Sequence, residues 1–134
     1  MKLNKSISIK ILVGISLFVL GYHLLIIFRI IPYDITWGGR LKTDEEMYVF
    51  ECISITVNLF FIYVLLQKGN FIKAIFSEKI LSAILWFFFA IFAINTVGNI
   101  VAKTTLEQFF TIVTLINAVL LWRINKSTES ETKL

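Results

Sequence analysis

Four apolar runs, each long enough to cross a lipid bilayer, leave this chain few folds to choose from. They cover about residues 9–31, 47–67, 80–101 and 106–124. A hydrocarbon core takes about 20 apolar residues per helix, against about 10 for a barrel strand. Within it every backbone polar group must be satisfied inside the protein. Runs of this length therefore predict helices, and the expected fold is all-α: a single-domain, integral membrane, four-helix antiparallel bundle. Composition agrees. Of 134 residues, 57% are hydrophobic and 16% charged, with a mean hydropathy of +0.83, too little polar material to clothe a soluble domain.

The start, MKLNKSISIK followed by ILVGISLFVL, has the look of a secretory signal. Its apolar run continues to Ile31, beyond the length of a signal core, and no small-x-small cleavage site follows it. An uncleaved anchor is expected. Cys52 is the only cysteine, so an internal disulfide is excluded, and it reads as a small buried hydrophobe.

Basic residues set the expected orientation. Lys2, Lys5 and Lys10, then Lys68, Lys73 and Lys79, then Arg123, Lys126 and Lys133 fall on one side, nine in all; Arg29, Arg40, Lys42 and Lys103 make four on the other. The positive-inside rule then places the chain as a multi-pass protein of the cytoplasmic membrane with both termini in the cytoplasm. Tyr33 and Tyr48 fall at the outer interface, Tyr63 and Trp122 near the inner one. The net charge of +4 comes from lysines flanking apolar runs, a pattern that fits membrane lipids as partners and not nucleic acid. The cytoplasmic loop QKGNFIKAIFSEK reads as an amphipathic segment on the inner leaflet, and residues 125–134 as a disordered tail. The few residues around Lys103 and Thr104 make the last two helices antiparallel neighbours.

The segment PYDITWGGRLKTDEE between the first two runs is the most unusual. Pro32 stops the first helix, and Thr43 with Glu46 has capping-box spacing for the second. Asp44 and Glu45 then fall in a first turn, favourable against the helix dipole. Gly38 and Gly39 permit positive φ, which would allow a short hairpin over the outer mouth of the bundle. Trp37 is then a candidate lid, and Arg40 a candidate partner for Asp34 or a lipid phosphate.

Polar residues inside the spans form a set. Glu51, Ser54 and Asn58 share one face of the second helix. Asn95, Gly98, Asn99 and Ala102 share a face of the third, and Glu107, Thr111, Thr114, Asn117 and Ala118 form a stripe on the fourth. The first offers Ser16 and His23, with Gly14 and Gly21 nearby to allow close approach. At about 1.5 Å rise per residue, Glu51 and Asn99 lie within about 6 Å of the outer interface, His23 about 12 Å deep, and Asn58 and Asn117 about 16–18 Å deep. The inner halves of the spans are nearly all apolar. This one-sidedness predicts a cleft open outward and sealed toward the cytoplasm, and argues against a through-pore, which needs polar lining along its length.

Intramembrane polar groups mark either interhelical bonding or a site. The candidate ligand-binding residues are His23, Trp37, Arg40, Glu51, Asn58, Asn95, Asn99 and Asn117. No metal-ligand spacing, nucleophile motif or phosphate loop occurs, so no cofactor or metal is expected. If the chain is an enzyme, Glu51 and His23 are its one acid/base pair. The leading expectation is a non-enzymatic protein binding a lipid, a small amphiphile or a partner helix in the cleft. The alternatives are a membrane enzyme on a lipid-like substrate, and a small homo-oligomeric transporter or transporter subunit.

IPYDITWGGRLKTDEEMYVFE, joined to the asparagine-bearing spans, resembles small four-span bacterial membrane proteins. That resemblance covers nearly the whole chain and implies a fold and a location, with no activity attached. ECISITVNLFFIYVLLQKG is similar to the second helix of EXPERA-type membrane proteins, which include sterol isomerases and the sigma-type receptor. It implies an acidic role for Glu51. The first span differs from that family, offering His23 and no aspartate.

Overall fold

The computed structural model describes residues 4–132, and side chains as far as Thr128. Lys2 and Lys133 lie outside the described residues. Four helices follow one another: α1 (Lys5–Ile27), α2 (Asp44–Lys68), α3 (Glu78–Ile100) and α4 (Thr105–Thr132). All four are long and apolar enough to cross a membrane. Only 22–28% of each apolar stretch is buried within the bundle, so lipid has to cover the rest.

The helices run up and down around a ring in which each packs on its two neighbours. The α3–α4 pair packs most closely and the α2–α3 pair least. The start of α1 and the end of α4 come to one end of the bundle, the terminal end; the α1–α2 connection caps the other, the loop end. Side chains divide the same way. Ile9 and Leu12, Phe61, Val64 and Leu65, Leu81, Leu85 and Phe88, and Leu120, Leu121 and Ile124 form one continuous buried core. These residues fill the terminal half, as the apolar inner halves of the spans require.

Each helix start has a sequence reason. Asn4 caps α1 by accepting from Ser6 N–H, and Ser77 caps α3 by accepting from Ile80 N–H. Thr43 Oγ1 accepts from Glu46 N–H at 3.2 Å, a cap that contributes about 1 kcal/mol. The return half of the box differs: Glu46 Oε2 accepts from Lys42 N–H at 2.7 Å. The missed twin of this motif is Thr104 with Glu107, where Thr104 Oγ1 accepts from Glu107 N–H at 3.2 Å.

Several expectations are corrected. The first helix ends at Ile27, four residues short of Ile31, because Arg29 turns left-handed (φ 58) and Ile30 N–H closes onto the Leu25 carbonyl at 2.9 Å. That is the Schellman end of a helix. It delivers Arg29 to Asp44; the Tyr48 hydroxyl first, and then the Asp44 carboxylate, hold the guanidinium above its ordinary pKa. The fourth helix continues through 125–132, expected as tail. Asn125 and Thr128 are buried, and the hydroxyls of Ser127 and Thr128 donate back to the Ile124 carbonyl. Space beside Gly14 and Gly21 is open, so no close helix approach occurs there. Cys52 is exposed on the outside of α2; an apolar outer face has room for it in lipid.

At the terminal end, Lys68 belongs to the last turn of α2 and not to the loop. It is buried and donates to Glu78 and, at 2.8 Å, to Ser82 Oγ. Gln67 Oε1 accepts from Ile75 and Phe76 N–H, folding the α2–α3 loop back over the helix ends without a helix of its own.

Candidate functional site

The α1–α2 connection is held as a cap. Ile26, Leu41 and Met47 form a small core with Tyr22, Ile31 and Tyr33 against it, anchoring both ends of the segment. Between them run two 3₁₀ turns, Tyr33–Ile35 and Trp37–Gly39, in place of the hairpin. The reason is local. Thr36 is buried, and both its N–H and its hydroxyl donate to the Tyr33 carbonyl, at 3.1 and 2.8 Å, which tightens the chain into turns. Gly38 and Gly39 both take φ 68, as paired glycines allow, and Trp37 itself sits at φ 52.

That backbone turns the Trp37 indole inward. Its Nε1–H donates to Glu51 Oε1 at 2.9 Å, and its ring lies edge-on to Phe50 with centroids 5.1 Å apart. The other oxygen, Glu51 Oε2, lies 2.6 Å from His23 Nδ1. Glu51 is fully buried. One residue on, Gly38 N–H donates to Glu107 Oε1, while Glu107 Oε2 accepts from the Thr104 hydroxyl at 2.8 Å. Two acidic side chains, one from α2 and one from α4, thus latch adjacent residues of the cap.

Beneath it lies a cavity of about 470 Å³, within the usual range for small-molecule sites. All four helices contribute: Ser16, Tyr22 and His23 from α1; Ile53, Ser54, Val57 and Asn58 from α2; Phe92, Asn95 and Asn99 from α3; Glu107, Phe110, Thr114 and Asn117 from α4. Thr36 and Trp37 form the roof. Phe61 and Phe88, with ring centroids 4.5 Å apart, close the floor and begin the core below it. Asn58 lies seven residues, about 10 Å, deeper than Glu51 along its helix.

Of the eight candidate residues, His23, Trp37, Asn58, Asn95, Asn99 and Asn117 line this one cavity, and Glu51 fastens two of them. Arg40 does not join them. It is exposed, and among the described residues it forms no ion pair, with Asp34 or any other acid. Glu107, Thr36 and Tyr22 were not among the candidates. The unread Thr104-x-x-Glu107 spacing is the signal that would have found Glu107; nothing local marks Thr36 or Tyr22.

Two lining amides are unusual. Asn117 is 2% exposed, and neither its Oδ1 nor that of Asn58 has a hydrogen-bond partner in the protein. Other polar groups nearby are satisfied: the Thr96 hydroxyl donates to Thr114 Oγ1 at 2.9 Å between α3 and α4. The cavity also has an open side. Ile53 and Val57 on α2 and Asn95 on α3 line it and are exposed, and α2 and α3 are the least closely packed neighbours. A second hollow of about 290 Å³ between α3 and α4 is walled by apolar side chains and Thr96, and its one hydroxyl is already bonded. Among the described residues no cluster of metal-ligating side chains occurs.

Comparison of the chain with protein-family models, with curated proteins and with solved structures finds no match.

Proposed function

We propose that this protein binds a lipid or other small amphiphile in the capped cavity, taking it sideways from the bilayer between α2 and α3. The observation that carries this is the combination of a latched roof, a sealed floor and an exposed seam on one polar cavity. A water-borne ligand would meet the roof; a membrane-dissolved one meets Ile53 and Val57. The apolar wall residues match a hydrocarbon chain, and the amides match a polar head. A packing role alone leaves the two unpartnered amide oxygens beside the cavity as a cost without return.

A single-chain amphiphile carrying a terminal diazirine, photolysed with the full chain in phosphatidylcholine nanodiscs, tests the reading. Adducts are expected on the cavity faces of α2 and α3, and substituting Ile53→Trp across the seam should reduce them severalfold. Adducts spread evenly over the outward faces would sink it.

The nine-to-four division of basic residues supports placing the terminal end in the cytoplasm and the cap on the outer side of a bacterial cytoplasmic membrane. A C-terminal reporter active only inside the cell is the expected result; activity only outside reverses the orientation.

A further inference from the structure

Resting on that reading, we infer that the ligand's head group is uncharged and both donates and accepts hydrogen bonds, as a hydroxyl or carboxamide does, and that it seats on Asn58 and Asn117. These two side chains lie at the inner end of the cavity, next to the aromatic floor. Each has a buried oxygen with no protein partner, and Asn117 is 2% exposed while lining the cavity. A primary amide offers two donors and an acceptor with two lone pairs. A head that both gives and takes can pair with it whichever end faces inward.

Charge is excluded by what surrounds the amides. The acidic side chains of the site, Glu51 and Glu107, stand at the roof, about 10 and 15 Å away along their helices. Both are occupied, Glu51 by His23 and Trp37 and Glu107 by Gly38 and Thr104. An ammonium or carboxylate drawn down to the floor would lose its hydration and stand about 10 Å or more from the acids at the roof, a heavy cost at this depth. A neutral hydroxyl keeps its hydrogen bonds and gives up little. The volume, about 470 Å³, suits one short chain with a small head, the chain leaving past Ile53 into the bilayer.

The test uses the full chain in phosphatidylcholine nanodiscs at neutral pH and four diazirine probes of equal chain length: a primary alcohol, a carboxylic acid, a primary amine and the bare alkane. The alcohol is expected to label cavity residues about tenfold more than the acid or the amine. In Asn58→Leu or Asn117→Leu the ratio of alcohol to alkane adducts at the cavity should fall about tenfold, the scale of one lost hydrogen bond. Equal cavity labelling by all three head groups, or a preference for the amine or acid, overturns the head-group inference while leaving amphiphile binding in place. No cavity labelling by any probe overturns both. The comparison among probes is made on the unsubstituted chain, so it stands even if a leucine variant fails to fold.

Discussion

Leucine in place of Glu51 is expected to cost the fold about 3–5 kcal/mol, the range for removing one partner from a buried polar pair. Both carboxyl oxygens are in use, and the side chain is fully buried. Without them His23 Nδ1 and the Trp37 indole N–H lose their shared acceptor together. Glutamine should be much milder, since its oxygen can still accept from Trp37 and its amide can donate to an unprotonated Nδ1. Two measurements check this on the purified chain: the melting temperature in detergent, and the rate of tryptic cleavage after Arg40 and Lys42 in the cap. Both should change strongly for Glu51→Leu and weakly for Glu51→Gln. An unchanged cleavage rate would mean that the Glu107 latch and the Ile26–Leu41–Met47 cluster hold the cap unaided.

The second large effect has the opposite sign. Asn117→Leu is expected to raise stability by roughly 1–3 kcal/mol, the penalty of a buried polar group without a partner. Thr114→Val, one turn earlier, should lower stability instead, because it removes the 2.9 Å bond between α3 and α4 and leaves the Thr96 hydroxyl only the Phe92 carbonyl of its own helix. The two residues are both buried polar groups of α4, so the comparison separates a side chain kept for a ligand from one kept for helix packing. On the ligand-binding proposal, the group that costs stability is the one that meets the ligand. Loss of stability in Asn117→Leu would reassign this asparagine to interhelical bonding.

Much of the architecture was legible in the sequence because lipid leaves so few alternatives. Apolar run length gave four helices, and Thr43 with Glu46 gave the start of α2. The division of the spans into a polar half toward the α1–α2 loop and an apolar half toward the termini gave a cavity beside a core. What could not be read was the rotational setting of each helix. A helix apolar nearly all round has no strong face to orient it, so the polar residues were the only guide, and they served well for His23, Asn58 and Asn117. The same logic failed for Cys52, whose small apolar side chain suits lipid as well as a core. Arg40 could not be placed from the sequence, because the two successive 3₁₀ turns that bring Trp37 to the cavity leave Arg40 exposed and outside its lining. Glu107 was seen as one polar residue on a stripe; its second task, holding Gly38 69 positions away in sequence, is a property of the closed bundle alone.

Trp37 and Gly38 are adjacent in the chain, yet one is tied to α2 and the other to α4, helices on opposite corners of the ring. In a bilayer the hydrophobic effect does not press helices together. A tie-bar of two consecutive residues therefore fixes the diagonal of the bundle at this end. Its span is set by covalent bonds and two left-handed φ angles, so the girth of whatever lodges below is limited by a part that belongs to no helix. Variation in this short segment would retune the size of the guest while leaving the four-helix frame intact.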